Sequence, residues 1–229
     1  MHAKYLSTLL LVVAQSATAL VTGTRAVSSV VNVAPAIEVR WPWSVYKRTA
    51  QAVVENQTGE TIYGVGLVHK YSDEYVNNGD WPELAHGETS GAPITVNYHT
   101  GDLTTGRDWW LVTWLGDDGK SVAYTDPNNG RCWIDQLEQA ATKIIPKIAA
   151  AIAKAQLKVP GANKLVKTIT KGLLKPLLNK GETCGYKQHI LRDEDRNSRV
   201  TIVLKKGGDV VIKSPSGTSE TVWKYKPLK

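Results

Sequence analysis

The chain contains no phenylalanine, a single methionine and only two cysteines. Without phenylalanine, its eight tryptophans and nine tyrosines must supply the aromatic packing, so most of them are expected in the core or at its rim. No stretch beyond the extreme N-terminus approaches 18 apolar residues, which excludes a membrane-spanning helix. The five histidines (His2, His69, His86, His99, His189) show no HExxH or similar metal spacing, and Ser72, Ser90 and Ser198 lack a GxSxG setting. Nothing therefore assigns a catalytic residue, a metal ligand or a cofactor, and a non-enzymatic protein is expected. A hydrolase would have to draw on Asp73, Glu74 or His69.

The first nineteen residues read as a signal peptide. Lys4 gives a basic start, Tyr5 to Ala14 an apolar stretch too short to span a bilayer, and Ala17-Thr18-Ala19 a small-x-small cleavage site. The expected location is secreted and extracellular. Residues 20–48 read as a tail or linker, and 49–229 as one domain with enough chain for a real core. Cys132 and Cys184 suit an oxidising compartment. Paired, they would close a loop of about 53 residues, worth about 4 kcal/mol in chain-entropy terms; the alternative is two free buried thiols. Asn56-Gln57-Thr58 is an N-glycosylation sequon, with Gly59 after it marking a turn that would expose it.

From Thr49 onward, β-prone runs alternate with turn signals. The runs are Thr49–Asn56, Thr61–Tyr71, Ala92–His99, Asp108–Leu115, Ser121–Asp126, Lys187–Arg192, Arg199–Lys205, Asp209–Ser214 and Glu220–Lys226. Asn78-Gly79-Asp80, Asp117-Asp118-Gly119 and Lys206-Gly207-Gly208 are among the dividers. Helices do not alternate with these strands, so the pattern predicts an antiparallel β-sandwich rather than a βαβ fold.

Residues 133–182 depart from that pattern. They read as an insertion of two amphipathic helices, Trp133 to about Lys158 and Ala162 to about Lys180, broken at Pro160-Gly161. Pro146 and Pro176 are expected to kink or split them. Nine lysines against three acids (Asp135, Glu138, Glu182) give this insertion most of the chain's net charge of +7. Helical spacing gathers Lys143, Lys147, Lys154 and Lys158 on one face of the first helix and Lys164, Lys167, Lys171 and Lys175 on one face of the second. Ile134, Leu137, Ile144, Ile145, Ile148 and Ile152 oppose the first set; Leu165, Val166, Ile169, Leu173 and Leu177 oppose the second. Two readings stand: helices docked on the sandwich with solvated lysines, or a segment that lies on an anionic membrane.

Trp110 and Trp114 alternate to one face of their strand, Trp109 to the other with Leu111 and Thr113. Trp41, Trp43 and Trp81 sit beside turn residues and are expected to be exposed. His69, Tyr71, Asp73, Tyr75 and Trp81 could build a headgroup or carbohydrate pocket; otherwise Tyr71 to Tyr75 is a strand end whose tyrosines cap the core. Asp193-Glu194-Asp195, close to Arg196 and Arg199, reads as a solvated, charge-paired turn.

Several runs resemble one family. They are Val54-Glu55-Asn56-x-Thr58-Gly59, Val68-His69-Lys70-Tyr71-Ser72-Asp73-x-Tyr75, Thr104-Thr105-Gly106-Arg107-Asp108-Trp109-Trp110 and Tyr124-Thr125-Asp126-Pro127. Together they are similar to the "Up-regulated in Daf-2" domain of nematode and fungal proteins. The resemblance implies an aegerolysin-like β-sandwich of a kind whose members engage membrane lipids, with no established enzymatic activity. The expected partners are membrane lipids or another acidic surface, with no nucleic acid and no small-molecule cofactor. A protein-interaction or self-assembly module, with a second copy as partner, is the alternative.

Overall fold

The computed structural model describes residues 44–104, 106–119, 121–126, 145–178, 183 and 185–227. Ten strands form within them: β1 (Tyr46–Gln57), β2 (Ile62–Tyr71), β3 (Tyr75–Leu84), β4 (Ile94–Thr100), β5 (Asp108–Leu115), β6 (Ser121–Thr125), β7 (Lys187–Gln188), β8 (Arg199–Lys205), β9 (Asp209–Ser214) and β10 (Gly217–Pro227). Two helices, α1 (Ile145–Gln156) and α2 (Ala162–Leu174), lie between β6 and β7. The fold is mainly β.

All ten strands belong to one sheet, in the order β3-β2-β5-β6-β10-β9-β8-β1-β4, with β7 also on β5. The sheet is mixed rather than wholly antiparallel as expected, because β1 runs parallel to β8, Gln51–Gln57 against Arg199–Lys205. β10 is shared. Its first half pairs with β9 and its second half with β6, so it joins the two halves of the sheet.

The terminal strands β3 and β4 bring the sheet nearly to a closed, barrel-like ring. They meet through side chains instead of a ladder. The Asn97 N–H donates to Asn77 Oδ1 (3.0 Å), the Trp81 indole N–H donates to the Ala92 carbonyl (3.1 Å), and Tyr75 Oη lies 3.0 Å from His99 Nε2. Asn78-Gly79-Asp80, expected as a turn, lies inside β3; the chain reverses earlier, at Ser72–Glu74. Gly79 is there for closeness, since a Cβ on it would sit 2.2 Å from Ile94 Cγ2 of β4. Trp81, expected to be exposed, is buried on the same strand. The expected strand Lys187–Arg192 shrinks to two residues, and Asp193–Asp195 forms a 3-10 turn.

Alternation along β2 and β5 sorts their side chains between two cores. Val65, Leu67, Trp110, Val112 and Trp114 point into the ring, with Val54, Tyr98, Ile202, Leu204 and Ile212 from the opposite half. Val68, Leu111 and Leu115 point outward, and with Val122 and Tyr124 of β6 they are covered by the helices. The expected sides of Trp110 and Trp114 against Trp109 hold, but both faces are buried. All ten β2 residues are buried in consequence.

The helices use their apolar stripes for this cover. Ile148 and Ile152 of α1 and Val166, Ile169 and Leu173 of α2 are buried, as is Leu177 in the 3-10 turn that follows. Pro146 falls in the first turn of α1, where its missing N–H costs nothing, and Pro176 falls in the 3-10 turn that ends α2. Among the described residues no helix is long and apolar enough to cross a membrane. At the β5–β6 turn α1 comes so close that a Cβ on Gly119 (φ +63°) would sit 2.5 Å from Ala149 Cα.

Docking of this kind makes the helices part of the cooperative unit. Leu174→Ala, at a position 2% exposed, is expected to cost about 2–5 kcal/mol. Urea unfolding should remain a single transition with a lower midpoint and an unchanged slope. A separate early transition of helical signal would show that the helices unfold independently of the sheet.

Candidate functional site

Docking fixes the lysines outward. Residues 145–178 contain seven lysines and no aspartate, glutamate or arginine. The chain has seven more lysines and arginines than acids, so the remaining residues are balanced in charge. Lys147, Lys154, Lys158, Lys164, Lys167, Lys171 and Lys175 are all exposed. Among the described residues, Asp80 of β3 faces this surface, its carboxylate 4.0 Å from Lys167 Nζ and 3.9 Å from Lys171 Nζ. Contacts of that length across water-accessible lysines contribute little. Lys143, grouped with these lysines by spacing, lies outside the described residues, as do Cys132 and Cys184 and the pairing expected of them.

The link between the helices has a defined geometry. The Lys158 N–H donates to the Ala155 carbonyl (2.9 Å) and the Val159 N–H to the Lys154 carbonyl (2.9 Å), the two bonds of a Schellman cap. Lys158 takes the left-handed position with φ 52°. Glycine is the usual occupant there, and any other residue costs about 1 kcal/mol. On either side Leu157 and Val159 are 77% and 39% exposed.

The five residues grouped as a headgroup pocket do not line one cavity. His69 is fully buried inside the ring, with Nε2 2.8 Å from Asp108 Oδ1 and Nδ1 3.3 Å from Asn77 Oδ1, and its ring stands 4.3 Å from that of Trp110. Asp108 Oδ2 accepts the Leu191 N–H (2.9 Å), so the pair ties β2 to β5 and to the chain after β7. Tyr71 and Tyr75 form an aromatic group with His99, which sequence reasoning missed because it lies on β4, distant in the chain. Asp73 is exposed in the β2–β3 turn, and Trp81 is in the core. Beside His99 opens a cleft of about 790 Å³, with Tyr46, Thr104, Arg107, Arg192 and Glu194 in its walls.

Two other expected surface features are internal. Asn56 is fully buried: its amide N–H groups donate to the Glu60 (2.7 Å) and Leu84 (2.8 Å) carbonyls, and its Oδ1 accepts the Thr58 N–H (3.0 Å) and hydroxyl (2.7 Å). Every polar atom of the amide is in use and no surface is left for a glycan, so the sequon is a structural knot. Asp195, expected as part of a solvated turn, is also fully buried. It accepts the Arg192 N–H (2.7 Å) and both the N–H (2.9 Å) and hydroxyl (2.6 Å) of Ser216.

That carboxylate orients a chain of hydroxyls. With Ser216 donating to it, Ser214 donates to Ser216 (3.2 Å), His189 Nε2–H donates to Ser214 (3.1 Å), and Nδ1 lies 2.9 Å from the Ser219 hydroxyl. Ser219 can donate to Nδ1 of a neutral ring or accept from a protonated one, so burial decides the charge state. Burial holds the His189 pKa below its ordinary 6.5, helped by Lys187 and opposed by Asp195 and Asp108.

The class these features define is a β-rich domain, its sheet nearly closed on itself, with a basic helical pair on one outer face. The family model described as "Up-Regulated in long-lived daf-2" matches residues 46–223, and the chain belongs to that family. No curated protein matches the chain.

Asn56→Ala would remove the side-chain donor to the buried Leu84 carbonyl and the acceptor of the buried Thr58 N–H, at about 1–3 kcal/mol for each group left without a partner. Thermal unfolding should show the loss, and mass spectrometry of the folded protein should show an unmodified Asn56; a glycan there would contradict this geometry. His189 supplies a pH dependence. Its folded pKa lies below the unfolded value, so the unfolded chain binds the proton first and stability falls as pH drops below about 6.5. Urea midpoints measured at about pH 7.5 and about pH 5.5 should diverge less in His189→Gln than in the parent protein.

Proposed function

We propose that this protein is a secreted, non-enzymatic binder of anionic lipid surfaces, attached through the lysine face of its two docked helices. The observation that carries this is the division of labour in residues 145–178. The apolar stripes are committed to the outer face of β2, β5 and β6, while seven lysines with no acid among them face outward. A helix whose stripe is already covered cannot lie lengthwise in acyl chains, so the attraction is mainly electrostatic. Each lysine near an anionic leaflet contributes about 1 kcal/mol.

The architecture agrees with this reading. β10 divides the sheet into two halves with the larger core between them, and we take these as the two layers of an aegerolysin-like sandwich. Self-assembly through the helix stripes is disfavoured, because a second copy would have to displace the sheet that covers them.

The test is co-sedimentation with phosphatidylserine–phosphatidylcholine vesicles. Binding should be strong at low salt and fall steeply as the Debye length shortens, from about 30 Å at 0.01 M to about 8 Å at physiological ionic strength. Replacing Lys147, Lys154, Lys158 and Lys164 by Gln should weaken it on the order of a hundredfold or more without lowering Tm. No binding of the parent protein at low salt, to anionic or to sphingolipid-containing vesicles, would end the proposal.

A further inference from the structure

The α1–α2 link stands out against the helices it joins. Every other large apolar residue described on α1 and α2 is buried or partly buried, yet Leu157 is 77% exposed and Val159 39%. Both lie beside exposed Pro160 and Gly161, and Lys154, Lys158 and Lys164 flank them. An exposed apolar tip with exposed lysines on both sides of it in the chain, and no acid in the surrounding segment, fits an anionic bilayer: hydrocarbon for the tip and phosphates for the lysines.

The backbone supports a function for this tip. The Schellman bonds hold Leu157 and Val159 in place before any contact, which lowers the ordering cost of binding. The left-handed position inside that cap favours glycine on steric grounds alone, and the chain places Lys158 there. A strained residue that adds charge beside exposed apolar groups is the pattern of a binding element.

We propose that residues 157–161 form a wedge that enters the outer acyl region of an anionic membrane, with Lys154, Lys158 and Lys164 at the phosphate level. This rests on the lipid-surface reading above and adds an apolar, salt-resistant component to it. The wedge sits at one end of the helical pair, so a docked molecule would meet the membrane by that end first.

The full chain and a Leu157→Ala/Val159→Ala variant are compared on phosphatidylserine–phosphatidylcholine vesicles and monolayers. Because both side chains are exposed, the variant should keep the parent Tm. It should still bind at low salt, lose about tenfold or more in affinity at physiological ionic strength, and insert into monolayers only at lower surface pressure. Lys158→Gly, which relieves the left-handed strain, should hold or raise Tm while binding weakens severalfold, a combination that a purely structural lysine would not give. If the parent protein binds and the double variant matches it in salt resistance and insertion pressure, the wedge is wrong and the electrostatic reading stands. If the parent does not bind at all, both fall. A concentration-dependent dimer in lipid-free buffer that the double variant abolishes would assign the tip to a second copy and overturn the wedge.

Discussion

Strands β2, β5 and β6 are apolar on both faces, and the rest of the molecule is arranged to keep water from the second one. The inner face is satisfied by curling the sheet nearly into a ring. The outer face carries Val68, Leu111, Leu115, Val122 and Tyr124, too large an apolar area to leave in water. α1 and α2 supply the cover. An amphipathic helix that turns its stripe to a sheet must turn its other face to solvent, and here that face is lysine. The basic surface is thus a geometric consequence of the cover, and its freedom from acids is the part that packing does not require.

Polar groups inside the ring do the joining that strand ladders cannot. The β3–β4 seam is closed by Asn77, Trp81 and the Tyr75–His99 pair. His69 and Asp108 fix the chain after β7, Asp195 fixes the β9–β10 hairpin, and Asn56 fixes the turn into β2. Each of these groups is buried or partly buried and hydrogen-bonded, so each has a structural reason to be where it is. The charge on the helices has no such reason. The contrast is what directs the functional reading to the outer helical surface and away from the carboxylate and histidine pairs.

Much of this was legible in the sequence. Alternation located most strands to within a few residues and separated Trp110 from Trp109. Helical spacing found the second apolar stripe and the described part of the first, Ile148 and Ile152, and Pro160-Gly161 marked the break between them. The errors share a cause. Asn78-Gly79-Asp80 has the composition of a turn, but its glycine answers to Ile94 of β4, fifteen positions away. Asn56 and Asp195 look like surface residues because their types usually are; their burial depends on carbonyls, N–H groups and hydroxyls that only the folded chain brings to them. The parallel pairing of β1 with β8 leaves no local trace. His99 and Tyr75 meet only because the sheet curls until β3 and β4 are side by side.

Local patterns by themselves determined the β-rich class, the helical insertion, its charge and the family to which the chain belongs, since periodicity and composition act over a few residues. Only the tertiary structure decided that the sheet curls until β3 and β4 meet, that the helical stripes face the sheet, and that Leu157 and Val159 are left out of it. Those outcomes depend on which surfaces compete for the same apolar partner, and that competition exists only once distant segments share one core.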